Sequence, residues 1–357
     1  MSFSDRLAGW RENLRHRWMY RRGDGSQTAS GGSSTAANGS GGGFFGSLNR
    51  PGMGSMAKRA GLAILVLILL YYPIGMFIVH TIDDDIEFTP SAADKAEGGS
   101  MAVAFAAGLI DREVNQNSWT ANDPFFQPGT LLDNMPNFQQ GIMSALARFG
   151  FELTDQLGRT RGSSEADPDL QRAAGLLQYP GNVWIWNPSV SLAPRASSES
   201  QYRDARTRLL AYNARLAKGE ANYDIRADNL LATIERFAAD IGSSSALIDR
   251  HLAERAGSFF DSDADDIFYF TKGKLYGYYM VLQGLGADFA PIIKERNLEK
   301  PWNEMMESFR KAALLDPWVV SNGELDAQFQ PNHLAAQGFY LLRARTQLRE
   351  ISNILLK

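Results

Sequence analysis

The chain has 357 residues, 36 Lys and Arg against 40 Asp and Glu, a formal charge of -4 and no cysteine. These counts exclude a disulfide-stapled fold, a thiol enzyme and a Cys-ligated zinc or iron–sulfur protein. The four histidines, His16, His80, His251 and His333, are too scattered for a local His-rich metal site. No Gly-rich phosphate loop, G-x-S-x-G elbow or dinucleotide fingerprint is present, so no cofactor is assigned and no motif fixes a reaction.

Residues 1–22 read as a cytoplasmic, basic, amphipathic helix. Phe3, Leu7, Trp10, Leu14 and Trp18 recur at helical spacing, and Arg6, Arg11, Arg15, Arg17, Arg21 and Arg22 surround that stripe. This composition suits a helix lying in the headgroup region of an anionic leaflet, with Trp10, Arg11, Arg15 and Trp18 as the expected membrane-surface residues. The alternative is a disordered basic tail, or a helix used only by a protein partner. Residues 23–57 read as a Gly/Ser-rich flexible linker, since 11 of the chain's 33 glycines fall there. Its r.m.s. reach is about 30–35 Å.

Residues 58–82 read as a single transmembrane anchor. Gly61 to Val79 carries no charge, and at 1.5 Å per residue a helix of that length covers about 28 Å, the thickness of a bilayer hydrocarbon core. Lys58 and Arg59 precede the apolar run, and Asp83, Asp84, Asp85 and Glu87 follow it. The positive-inside rule then puts the N-terminus in the cytoplasm and everything after the span outside. A cleaved signal peptide is the rival, but its charged region is short and a small-residue cleavage site follows its apolar run. Here about 60 residues precede the run and HTIDDDIEFT follows it. Pro73 kinks the span or marks its interfacial end. Charge divides along the same line: nine basic against three acidic residues up to Arg59, then 27 against 37. An acidic outer part argues against a nucleic-acid partner.

Residues 83–357 read as a periplasmic all-α domain, an antiparallel helical bundle. Ser198 and Gln201 give a capping-box pattern, Tyr202, Ala205, Leu209, Tyr212 and Leu216 give a helical stripe, and Lys218 and Gly219 close it. Leu230, Leu231, Ile234, Phe237, Ala238 and Ile241 mark the next helix, and the short loop between the two predicts an antiparallel hairpin. Phe268, Leu275, Tyr279 and Leu282 mark another, and Trp302, Met305, Met306, Phe309 and Ala313 one more. The glycines at 273, 277, 284 and 286 fall within a helical apolar pattern and suggest close helix packing. The last helix sets Leu334, Leu341, Leu348 and Leu355 seven apart, with Gln337, Ala344 and Ile351 between them. This is either a zipper seam between protomers or, as the polar Gln337 and small Ala344 favour, one layer of a single-chain bundle.

Two irregular stretches break the helical pattern, at about 119–135 and 179–194. The first holds Trp119, Asn122 and Asp123 within NQNSWTANDPFFQPG, and the second holds Trp184 and Trp186 within QYPGNVWIWNPS. Planar amides beside aromatic faces are what a glycan or peptide site uses, so these five residues are the candidate binding surface. The bland alternative is a pair of packed lids in which Asn and Asp make turns and Trp fills core. The acidic run Asp261, Asp263, Asp265 and Asp266 starts like a calcium loop. It lacks the Gly at position six and the Glu at position twelve, so a helix N-cap explains it better.

The basic leader, single span, Asp-rich exit and the phrases VNQNSWTANDPFFQPG and YPGNVWIWNPS resemble a family of proteobacterial inner-membrane proteins known as a domain of unknown function, DUF2333. The resemblance implies a bacterial envelope protein and transfers no catalytic residue. The expected function is a membrane-anchored, non-enzymatic interaction or scaffold module whose partners are the lipid bilayer and an envelope protein. The alternative is a peptidoglycan-binding or peptidoglycan-cleaving enzyme, with its acid among Asp123, Glu152 and Glu307. Glu307-Ser308 looks like the Glu-Ser pair of lytic transglycosylases, but only those two residues match, and Glu307 falls opposite the apolar stripe of its helix.

Overall fold

The computed structural model describes residues 53–158, 166–255, 257, 261–324 and 327–357. The amphipathic stretch expected at 1–22, with Trp10, Arg11, Arg15 and Trp18, lies outside these residues, as does the linker up to residue 52. The chain divides into a unit ending at Ala57 and a unit from Lys58 to Lys357. The described residues are helical and contain no β-strand, only the isolated bridges Asn187–Ser191 and Asn322–Asn332.

Helix α1, Met53–Val79, runs unbroken through Pro73. Its stretch from Met56 to Val79 is long and apolar enough to cross a membrane. Side chains from Met56 to Tyr71 are exposed all round, and only in the last two turns does one face, Tyr72, Gly75, Met76 and Val79, become half-buried. An apolar helix with no covered face from Met56 to Tyr71 is not a core helix of this fold.

The Asp-rich exit from α1 is bonded to the body at four points. Asp83 lies 3.3 Å from the Arg112 guanidinium, Asp84 lies 2.7 Å from the Lys272 ammonium, the Asp85 carbonyl accepts from the Tyr276 hydroxyl at 2.7 Å, and the Thr81 amide donates to Met135 Sδ at 3.2 Å. Charges that signal orientation in the sequence thus also serve as the counter-ions of two otherwise buried cations.

The body is built around α7, Ser262–Asp288. Helices α2 (Met101–Asp111), α3 (Asn134–Glu152) and α9 (Glu299–Ala313) pack directly on it, with the largest contact from α3. That contact is close because both partners carry glycine at the crossing. A Cβ on Gly273 would collide with the Phe138 carbonyl, and one on Gly141 with the Phe270 carbonyl. Gly284 gives α2 the same close approach, and the side chain of Asp288 then caps α2, accepting from the amides of Met101 and Ala102 at 2.7 and 3.1 Å and from Ser100 Oγ at 2.6 Å. The expected stripe Phe268, Leu275, Tyr279 and Leu282 is buried. At the other end, Asp261 is the N-cap, accepting from the Ala264 amide, and no group of three or more potential metal ligands occurs among the described residues.

Helices α4 (Pro168–Leu177) and α5 (Ser198–Ala217) form a second layer against α3 and α2, joined by Arg215, which is bidentate on Asp167 at 2.9 Å and reaches Asp169 at 2.7 Å. The cap of α5 lies one residue before the expected one. Ser197 accepts from the Ser200 amide, while Ser198 is buried and accepts from the Val183 amide at 3.0 Å. Gly219 closes the helix in the left-handed region, φ 73°.

The expected hairpin between the segments 198–217 and 227–255 does not form. Helix α6, Ala227–Arg255, leaves α5 and packs on α10, His333–Leu355. The connection from 218 to 226 is tied both to α5 and to the segment after α3: the Asn222 carbonyl accepts from Tyr212 at 2.6 Å and the Asp224 amide donates to the Leu157 carbonyl at 2.8 Å. The stripe positions on α6 were legible, but its partner was not. In α10, Leu334, Gln337, Leu341, Ala344, Leu348, Ile351 and Leu355 are all buried within the one chain, against α6 and α9. The heptad seam is therefore intrachain, and Gln337 Nε2 donates to the Phe268 carbonyl at 2.9 Å. A short helix α8, Ala290–Glu295, links α7 to α9.

Candidate functional site

The two irregular stretches meet. Beyond α2 the chain makes a π-helical turn, Arg112–Gln116, and then enters the loop that ends at α3. From this loop the indole Nε1 of Trp119 donates to the Gly181 carbonyl at 2.9 Å, and Asn122 Nδ2 donates to the Val183 carbonyl at 2.8 Å and to Glu199 at 2.7 Å. Trp119 is 5% exposed and packs edge-on to Tyr202, whose hydroxyl donates to the Tyr179 carbonyl at 2.7 Å. Trp119 and Asn122 therefore act inward, fastening the second stretch to the first.

The other three candidates lie nearer the surface. Asp123 is half-buried beside Glu199, and its carboxyl is pushed up to about 6 by burial and by that neighbouring charge. Trp184 is half-buried, edge-on to Phe126 with ring centroids 5.6 Å apart. Trp186 is 47% exposed, and its Nε1 donates to the Leu192 carbonyl at 3.2 Å. The arrangement is one fastened pair of loops with aromatic side chains on its outside.

The remaining candidate acids lie elsewhere. Glu152 is buried at the end of α3, raised by burial and opposed by Arg148, whose Nε is 3.3 Å away, and by Arg236. Glu307 sits on the outer face of α9, held at about 2 chiefly by its hydrogen bond to Arg310, with Lys311 also near. A general acid is favoured by a raised carboxyl, and the shift at Glu307 runs the other way. The geometry also singles out Glu113, fully buried and raised by burial, paired with Arg112 at 2.7 Å and bonded by Gln139. Arg112 also lies over the rings of Phe88 and Tyr276, each at 5.0 Å. These contacts make the pair a brace between α2, α7 and the exit of α1.

Contacts between this site and α1 were not foreseen. Tyr71 donates its hydroxyl to the Phe126 carbonyl at 3.1 Å, Tyr72 to the Phe125 carbonyl at 2.6 Å, and Pro128 rests on Gly75, where a Cβ would come to 2.5 Å. The available signal was the Tyr-Tyr pair followed by Gly75, just after the aliphatic stretch from Leu62 to Leu70.

No curated protein and no solved structure matches the chain. Residues 56–258 match a family described as "Uncharacterized protein conserved in bacteria (DUF2333)". That range contains α1 from Met56 onward, both loops and the contacts between them described above, and the chain belongs to this family.

Proposed function

We propose that this protein is a single-pass inner-membrane protein whose helical bundle lies in the periplasm and works as a non-enzymatic interaction or scaffold module. The observation that carries this reading is the joint between α1 and the body. Tyr71, Tyr72, Asp83, Asp84 and Asp85 hold the domain against the last turns of the apolar helix at a defined height. An enzyme acting on a distant polymer gains little from so stiff a joint, whereas a module presenting a surface at a fixed distance from the bilayer depends on it. Basic residues before the span and acidic ones after it support the orientation.

The rival reading, a peptidoglycan-cleaving enzyme, is supported by the raised carboxyls of two of its candidate acids, Asp123 beside Glu199 and Glu152 at the end of α3. Incubation of the full chain in detergent with isolated sacculi, followed by chromatography of soluble fragments, separates the two. The scaffold reading expects no fragment release and an Asp123→Asn variant that restores function in cells lacking the protein. Fragment release by the native chain that Asp123→Asn abolishes would overturn it.

A further inference from the structure

We propose that the two fastened loops are a second membrane contact, seated in the headgroup and upper acyl region of the same leaflet from which α1 emerges. This inference rests on the reading of α1 as a membrane span.

The first observation is position. The loop from Phe125 to Pro128 runs beside α1 at the level of Tyr71 to Gly75, and Tyr72 precedes the helix end at Val79 by seven residues, or about 10 Å. The loop therefore lies alongside the apolar helix below its exit, at the depth to which interfacial segments enter a leaflet. Just beyond these turns Phe77 is 87% exposed and Ile78 72%, so the helix at this level still presents an apolar surface to its surroundings.

The second observation is composition. Residues 124–132, PFFQPGTLL, and 179–194, YPGNVWIWNPSVSLAP, contain no charged side chain. Their apolar groups point outward: Phe125 and Leu192 are each 81% exposed, and Leu131, Val190 and Trp186 are also exposed. The Phe126–Trp184 ring contact makes the two loops one patch. Trp, Phe and Leu without charge on irregular backbone fit the interfacial zone, where one side is apolar and the other wet.

The third observation is polar satisfaction. Irregular backbone near hydrocarbon is tolerated only where its carbonyls find partners. The carbonyls of Phe125 and Phe126 have the hydroxyls of Tyr72 and Tyr71, donated by the helix itself. Continuity with the apolar helix is what selects lipid as the occupant over a second copy of the chain or another protein.

The absence of native cysteine allows single nitroxide labels in the full-length chain. Labels at Phe125→Cys, Leu131→Cys and Leu192→Cys would be compared with Leu67→Cys within α1 and Leu356→Cys at the end of α10, in vesicles of mixed zwitterionic and anionic lipid. The expected result is a ratio of oxygen to water-soluble nickel-chelate accessibility several-fold higher at 67, 125, 131 and 192 than at 356. If Leu67→Cys reads as lipid-buried while 125, 131 and 192 match 356, the loop contact is overturned and the span stands. If Leu67→Cys itself is water-accessible, the span fails and this inference fails with it. Protection of the loop labels from both reagents would mean that protein covers them, which also overturns lipid as the occupant.

Discussion

The ammonium of Lys272, with no solvent exposure, lies 2.7 Å from the carboxylate of Asp84, and its next counter-charge, Asp316, is 3.6 Å away. The pair ties the central helix to the segment that leaves α1. Removing Asp84 leaves the buried cation only the more distant, exposed Asp316, whereas removing the cation leaves an acid that water still reaches. Asp84→Ala is therefore expected to destabilise the full chain by about 3 kcal/mol and Lys272→Met by less, about 1 kcal/mol. Urea midpoints of the detergent-solubilised protein measure both. Equal losses, or the reverse order, would show that the pair does not act as a buried ion pair.

The seam of α10 gives a second expectation. Leu348 is buried between helices of its own chain, so Leu348→Ala should cost about 2–5 kcal/mol through lost burial and the cavity left behind. The oligomeric state measured by light scattering should not change. A shift in mass with little loss of stability would return the seam to the interface between protomers.

Legibility followed the range of the physics involved. Helix existence is local, so the stripes at Tyr202–Leu216, Leu230–Ile241 and Trp302–Ala313 mark real helices, and Asp261 caps one as its position implies. Partner choice is not local. The segment 198–217 and its successor share no face: their connection is tied back to α5 by Tyr212 and to Leu157 by the Asp224 amide, and α6 packs on α10 instead. In the loops the residue types were legible and their direction was not. An Asn or Trp fits an inward turn bond as well as an outward ligand contact, and Trp119 and Asn122 take the first course while Trp186 points out. The Tyr71 and Tyr72 bonds span more than 50 positions of chain, and no sequence period reports such a pair.

The crossing of α3 and α7 allows a paired test with opposite signs. At Gly273 a Cβ meets the Phe138 carbonyl, which belongs to rigid helix backbone, so Gly273→Ala should cost about 3 kcal/mol or more. Gly175 is exposed within α4 and has nothing within 4 Å of a Cβ. Gly175→Ala should therefore stabilise by about 0.5–1 kcal/mol, because alanine is the better helix former. Thermal unfolding followed by circular dichroism reads both. A neutral Gly273→Ala would mean that the two helices separate at little cost.

Asp123 and Asp265 are both raised to about 6, Asp123 by burial and then Glu199, Asp265 by burial and then Asp133 and Asp266. In the unfolded chain each ionises near the usual carboxylate value of about 3.9. Between those values the folded state binds more protons than the unfolded state, so this contribution to stability falls as pH rises from about 4 to 6. The full cost is present above 6 and absent below 4. Both groups are about half solvated, which reduces the effect to the order of 1 kcal/mol each. Other carboxylates, such as Asp167 and Asp261, are lowered and slope the opposite way, so the informative quantity is the difference between variant and native chain. Asp123→Asn and Asp265→Asn should each gain stability relative to the native protein as pH rises from 4 to 7, with most of the change between 4 and 6. A difference that stays flat across that range would show that neither carboxyl carries the burial and charge repulsion assigned to it.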